Sequence, residues 1–568
     1  MSTEPARLAF DLTERPWIPV LRADGSDELM SLRGVFANAA DLRRLVGDVP
    51  TQDFALLRLL LAVLHDAIDG PQDIEEWQEL WGTGGLPTDT VNQYLDEHRD
   101  RFDLLHPSTP FFQTAGLRTG KDEVFPLNRI VADVPNGELF FTMRATGVDR
   151  LGFAEAARWV VHAHAFDTSG IKTGVVGDRR AKSGKVYPLG VGWAGNLGGV
   201  AVEGDDLRET LLLNLIGVQD SGLRRPDPET DRPAWRQEPA GPGQRGELEL
   251  SRRPHGVRDL YTWQSRRIRL HFDEDGVYGV VLGYGDPLSP VNQHDREPMT
   301  AWRRSPFQEK KLGKASVYLP REHEVARSAW RGLGALVAGR VEGAEQRNEA
   351  AAAVQPKILD WVARLTVEGD LDPDMMIRTR LVGAVYGTQQ SVIDEIIDDS
   401  VSLRLVLLRD RDTRLGQAAI DAVADADKGA WQLGDLAANI ATAAGADSDP
   451  PRETAKSLAY AALDEPFRQW LAGLDSGADP EASRLEWQRR AHAVLGRLGD
   501  DLLRDAPEVA WAGRTITTRQ GKELWLDAAR ADLIFRRGLR RVLPGPAASG
   551  EDETEAPATE APVVEEPV

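Results

Sequence analysis

The segment FALLRLLLAVLHDAI, Phe54 to Ile68, constrains the fold more than any other. Its spacing predicts a helix with apolar residues on nearly every face, and such a helix persists only when neighbours cover most of its sides. It therefore calls for a large domain of many elements. A membrane span is excluded, because Arg58 breaks the run between Leu56 and Leu64 and a span needs ~18 uninterrupted apolar residues. The covering elements read as mixed α and β. PWIPVL (Pro16 to Leu21) predicts a strand closed by the turn ADGSDE. SLRGVFANAADLRRL predicts a helix capped by Ser31, Phe153 to Ala165 a second, and Asp206 to Val218 a third capped by Asp206. GGVAVEG, DLYTW, RIRLHF and GVYGVVLGY read as β segments.

From about Asp410 the pattern changes to four helical segments: Thr413 to Ala444, Arg452 to Leu474, Pro480 to Asp505 and Gly521 to Leu543. Short Gly-, Pro- and Asp-rich connections suit antiparallel neighbours, with Trp431, Trp470, Trp487 and Trp525 as core candidates. From Pro544 the chain holds five prolines, seven acidic residues and no basic ones, the composition of a disordered tail. The expected fold class is α+β: a large mixed N-terminal domain over 1–405, a four-helix bundle over 406–543 and a disordered acidic tail over 544–568.

Charge and composition narrow the function. With no cysteine there is no disulfide, thiol nucleophile or cysteine-held zinc. The opening MSTEPARLAFDLTERPW lacks a basic region followed by an apolar one, so no secretory signal is read and a cytoplasmic location is expected. A net charge of −22 argues against a nucleic-acid partner if evenly spread, since phosphate affinity comes from Lys and Arg. It is uneven. The tail carries seven of the negative charges, Ser251 to Arg331 has fifteen basic against ten acidic residues, and Asp167 to Trp193 has five against two together with six glycines. These two electropositive stretches are candidate contact surfaces; the plainer reading is a solvated face.

Enzymatic motifs fail on context. Gly190, Gly192 and Gly195 fit G-x-G-x-x-G but lead into a glycine-rich, strand-like run instead of a helix, so no helix N-terminus receives a pyrophosphate. Gly184-Lys185 lacks the earlier glycine and following hydroxyl of a phosphate loop; Arg179 and Val186 stand there. His65-Asp66 and His294-Asp295 suggest a metal-dependent phosphohydrolase of HD type, which needs further converging ligands. His162 and His164, two apart on a helix, face different ways.

Several segments in order resemble one family. RPWIPVLRADG, HPSTPFFQTAGL (His106 to Leu117), DLRETLLLNLIGV, GVRDLYTWQSRRIRL (Gly256 to Leu270) and VYGTQQSVIDE (Val385 to Glu395), followed by the helical bundle, are similar to the CasA family, the large subunit of the type I-E CRISPR surveillance complex, Cascade. The resemblance runs from about residue 10 to 543.

It implies a non-catalytic protein, without cofactor or metal, that recognises the protospacer-adjacent motif (PAM) in double-stranded DNA and helps open the duplex for guide RNA pairing. The implied partners are the backbone and small Cascade subunits, CRISPR RNA, target DNA and a helicase–nuclease recruited in antiviral defence, with no membrane. The family's glycine loop, whose backbone reads PAM base edges in the minor groove, falls on Ser169, Gly170, Ile171 and Lys172; an insertion, VVGDRRAKSGK, follows. Its duplex-splitting wedge, a polar hairpin tip, falls on Thr388, Gln389 and Gln390 in a loop before a helix; a turn capped by Thr388 competes. Its RNA-handle aromatic falls on Phe140, with Phe141 and Arg144 beside it, against a core-phenylalanine reading. Its basic finger is reduced to Arg296, and the cysteine-rich zinc knuckle of some relatives is absent. The rivals are the phosphohydrolase and an interaction scaffold without nucleic-acid contact.

Overall fold

The computed structural model describes residues 7–132, 148–219, 221–337, 353–409, 413–517 and 521–544. The chain forms two compact units, one of residues 1–423 and 467–480, the other of 424–466 and 481 onward.

In the first unit, β1 (Ile18–Arg22) pairs antiparallel with β2 (Asp27–Met30) and β3 (Leu42–Leu45). Ser31 caps as expected, its hydroxyl accepting from Gly34 N–H at 3.1 Å. The helix it starts ends at Ala37, and the LRRL expected to continue it forms β3.

The apolar segment is α1 (Pro50–Ile68), buried almost throughout. Its Arg58 does not reach solvent. It makes a two-pronged pair with Glu297, 2.9 Å in each branch, and lies 4.4 Å from the Tyr261 ring centre. Beside α1 lies α2 (Phe153–Phe166), joined to it by Thr51 Oγ1 and His162 Nε2 at 2.9 Å. A short hairpin, β4 (Lys172–Thr173) and β5 (Lys185–Val186), follows.

Next come β6 (Gly199–Glu203) and α3 (Leu207–Leu213). Asp206 caps α3 through Glu209 N–H at 2.8 Å, but α3 stops short of the expected Val218. DLYTW is not a strand: Val257–Tyr261 is helical. β7 (Arg266–Asp273) and β8 (Gly276–Tyr284) are strands as read, and they pair antiparallel. The long hairpin β9 (Met376–Tyr386) and β10 (Ile393–Arg404) joins β6 in one antiparallel sheet. Arg380 of β9 ties this sheet to α1, bonding Asp398 at 2.7 Å and Asp53 at 3.0 Å.

Four long helices follow: α4 (Thr413–Ala444), α5 (Asp449–Ala472), α6 (Pro480–Arg504) and, after a hairpin of β11 (Arg514–Thr517) and β12 (Glu523–Leu526), α7 (Ala528–Val542). The last expected helical segment thus begins as a strand. Asp527 caps α7 through Arg530 N–H at 2.7 Å. In the second unit, buried Asp425 accepts from Arg484 at 2.8 Å and Gln488 at 2.7 Å, holding α4 to α6. Trp470 and Trp487 are buried, but Trp431 and Trp525 are about half exposed, with the Lys456 ammonium 3.6 Å from the Trp431 ring centre. The α+β class stands, with a mixed region followed by helices. Residues beyond 544, including the expected tail, lie outside the described residues. No helix among them is long and apolar enough to cross a membrane.

Candidate functional site

The segment after α2 leaves the helix at Asp167 and is held from below. Arg266 on β7 bonds the Asp167 carboxylate through Nε, and its Nη2 donates to the carbonyls of Asp167 at 2.8 Å, Thr168 at 3.0 Å and Gly190 at 3.1 Å. The Tyr284 hydroxyl, at the end of β8, lies 2.7 Å from the Ser169 carbonyl and 2.8 Å from that of Gly170, donating to this pair. Ser169 is buried, and its hydroxyl accepts from Gly190 N–H at 3.1 Å. Ile171, in contrast, is 57% exposed. A rigid base thus carries a half-buried Gly170 and presents Ile171 at the surface.

The glycines nearby divide into two kinds. A Cβ on Gly192 would lie 2.5 Å from the Ala165 backbone, so glycine is there to let the chain pass. At Gly170 a Cβ would meet nothing closer than Ser391 at 3.8 Å, and its φ is not in the left-handed region. The fold itself does not require glycine at 170.

The second segment, Thr388 to Ser391, is the tip of the β9–β10 hairpin. Ser391 N–H donates to Thr388 C=O at 3.3 Å, and both central residues have positive φ, 57° at Gln389 and 55° at Gln390. This is a type I′ turn, where Asn-Gly is the usual choice because L side chains with a Cβ are strained there. Two exposed glutamines occupy it instead. The Thr388 side chain makes no capping bond, and the segment after the turn is a strand. Neither the capping turn nor the following helix is present.

The two segments meet. Ser169 N–H donates to the Gln390 carbonyl at 2.7 Å, across 221 positions of sequence. The Tyr386 hydroxyl, at the end of β9, donates to Phe166 C=O at 2.7 Å at the end of α2, fixing the hairpin beside the loop.

The remaining candidates fall elsewhere. Lys172 is buried, its ammonium 2.8 Å from the Asp167 carboxylate. Burial pushes its pKa down against that carboxylate's pull, and Lys172 serves as an internal strut. Arg296 lines a separate cavity with His65, Arg224, Asp231 and Arg258, away from both segments. Phe140, Phe141 and Arg144 lie outside the described residues.

The electropositive stretch 251–331 also changes meaning. Four of its arginines are buried in ion pairs: Arg253 with Asp259, Arg258 with Asp66, Arg266 with Asp167, and Arg267 with Asp286. These charges build the interior and form no surface patch. The first His-Asp pair is likewise internal. Asp66 accepts from Tyr94 at 2.5 Å, Arg236 at 3.0 Å and Arg258 at 3.2 Å, so guanidinium groups stand where a metal would need to be. His65 Nδ1 meets Gly70 C=O at 2.9 Å, and burial lowers its pKa to about 3. His294 packs on Tyr318 at 4.7 Å between ring centres.

Residues 11–498 match the family model described as CRISPR-associated protein Cse1. The solved structure of Thermobifida fusca Cse1 is 61% identical, with a TM-score of 0.88 over 94% of this chain and 98% of that one. The structure of Cse1 from Acidimicrobium ferrooxidans is 30% identical, with a TM-score of 0.78 over 95% and 98%. A CRISPR-associated protein CasA/Cse1 of Thermus thermophilus is 32% identical over 334 residues, a match spanning 58% of this chain and 60% of that relative's length.

Proposed function

The chain belongs to the CRISPR-associated protein Cse1 family, and from that premise we propose that it is the non-catalytic large subunit of a type I-E Cascade. In this reading the Gly170–Ile171 backbone reads the PAM in target DNA, and the Gln389–Gln390 tip enters beneath it to start opening the duplex for the guide RNA. The other Cascade subunits and CRISPR RNA complete the assembly, which then recruits the helicase–nuclease. Phe140, Phe141 and Arg144 are proposed for the RNA 5′ handle.

One observation carries the reading: the 2.7 Å bond from Ser169 N–H to Gln390 C=O. Two segments assigned to successive steps of one event are locked together at an exposed surface. The chemistry of each suits its step. Where no Cβ intervenes, main chain can approach the minor groove closely, and readout there is degenerate, which suits tolerance of several motifs. An amide fills the place of a displaced base pair while offering both donors and acceptors. Guide pairing supplies the remaining sequence specificity, as in other RNA-guided systems.

Gln390→Gly tests the wedge without disturbing its turn, since glycine is at ease at φ 55°. The purified subunit should be as stable as wild type or more so, by up to about 1 kcal/mol. In the reconstituted complex R-loop opening, followed by fluorescence of a base analogue beside the PAM, should slow severalfold while initial DNA encounter changes little. Equal effects on both steps would remove the wedge assignment.

A further inference from the structure

We infer that the β4–β5 hairpin, residues 172–186, grips the DNA sugar–phosphate backbone beside the PAM without reading sequence. This rests on the PAM-reading assignment of the adjoining Gly170–Ile171 loop.

The hairpin sorts its basic residues into two sets. Lys172 and Arg180 are struts. Arg180 bonds the Asp178 carboxylate at 2.9 Å and donates to the carbonyls of Tyr284 at 2.8 Å and Gly285 at 2.9 Å. Arg179, Lys182 and Lys185 point to solvent, and among the described residues none has an ion-pair partner. The hairpin's own carboxylate, Asp178, is buried and taken up by Arg180. The segment alongside, bridged through Thr119 and Val175, brings Arg118, Lys121, Asp122 and Glu123, whose charges sum to zero. Three exposed cations without an ion-pair partner among the described residues therefore lie on one short hairpin of a chain of net charge −22, which would otherwise repel a polyanion.

The hairpin is also registered to the loop. Tyr284 receives Arg180 on its carbonyl and holds Ser169 and Gly170 with its hydroxyl. One residue thus sets the distance between the cations and the backbone that leads into the Gly170–Ile171 loop. The partner that fits is a regular array of phosphates at fixed offset from a groove: duplex DNA, with one charge per ~1.7 Å of axis. Lysine and arginine on long stems, with no bonded fork held in place, supply charge to phosphates and no base discrimination. Tyr187, 66% exposed at the hairpin's end, offers a ring against sugar.

The test is a salt titration of duplex binding by the reconstituted complex, comparing wild type with Arg179→Ala/Lys182→Ala/Lys185→Ala. Two duplexes are used, carrying the strongest and weakest motifs from a randomised PAM pool. The slope of log affinity against log salt should fall by about 2.7, ~0.9 for each phosphate that the variant no longer neutralises, and the affinity ratio between duplexes should stay constant. Lys182→Arg/Lys185→Arg, which keeps the charge, should keep the slope. An unchanged slope in the triple alanine variant overturns the proposal, and so does a collapsed ratio, which would make the hairpin a base reader. A wild-type complex without preference between the duplexes would overturn only the loop's reading, since the slope still decides the hairpin.

Discussion

Three histidines of the first unit are buried without charge. His65 and His164 are lowered to about 3 and His162 to about 4, in each case chiefly because burial disfavours the cation. Their folded pKa values lie below the ordinary 6.5, so unfolding takes up protons as pH falls. The stability they contribute is present above about pH 6.5 and is lost on descending toward 4 and 3. Asp231 opposes them, because burial raises it to about 6 and its cost appears between about pH 4 and 6. His162 can be isolated, since its Nε2 bonds Thr51 on α1 and glutamine can replace that bond. Unfolding measured from pH 7 to 5 should show His162→Gln losing less stability than wild type, by about 1.4 kcal/mol per pH unit per proton. Parallel curves would show that His162 titrates normally. The same histidine was legible in sequence only as a helical neighbour of His164; its burial depends on α1, about a hundred residues away.

At the scale of elements, α1 was the most readable part of the chain, and Arg58 within it the least. The apolar run required burial, but nothing local shows that Arg58 is buried too, because Glu297 lies 239 positions on. Glu297 also accepts from Trp193 Nε1 at 2.7 Å, so the pair links α1 to the segment around Trp193. Removing one partner leaves the other charge buried and uncompensated. Arg58→Ala should therefore cost about 3–5 kcal/mol in urea unfolding; a loss under 1 kcal/mol would mean that solvent reaches Glu297. Elements misread in sequence share a cause. LRRL and the start of Gly521 to Leu543 have helical composition but pair as strands with β1 and β11. DLYTW carries β-favouring aromatics, yet the Asp259 carboxylate within it accepts from Arg253 and the Asp259 N–H donates to the Asp231 carboxylate, holding it as a helical turn. In each, tertiary partners outweigh local preference.

For the whole molecule, charge is ordered more finely than its sum suggests. Four arginines of the basic stretch 251–331 are turned inward as ion pairs, and the shorter glycine-bearing stretch keeps three cations at the surface. The candidate site was legible as two separate segments, through family resemblance; their junction was not, because a backbone bond across 221 positions leaves no local pattern. Lys172 looked available in sequence, and Asp167, five residues before it, takes it inside. The central claim is that Gly170 is glycine for the sake of what approaches it, since a Cβ there has 3.8 Å of room. The most direct measurement is binding of the reconstituted complex to a pool of target duplexes with randomised PAM, for wild type, Gly170→Ala and Gly170→Asp. The expected result is unchanged melting temperature of the subunit, reduced PAM preference in Gly170→Ala and its loss in Gly170→Asp. Wild-type preference retained in Gly170→Asp would contradict the claim.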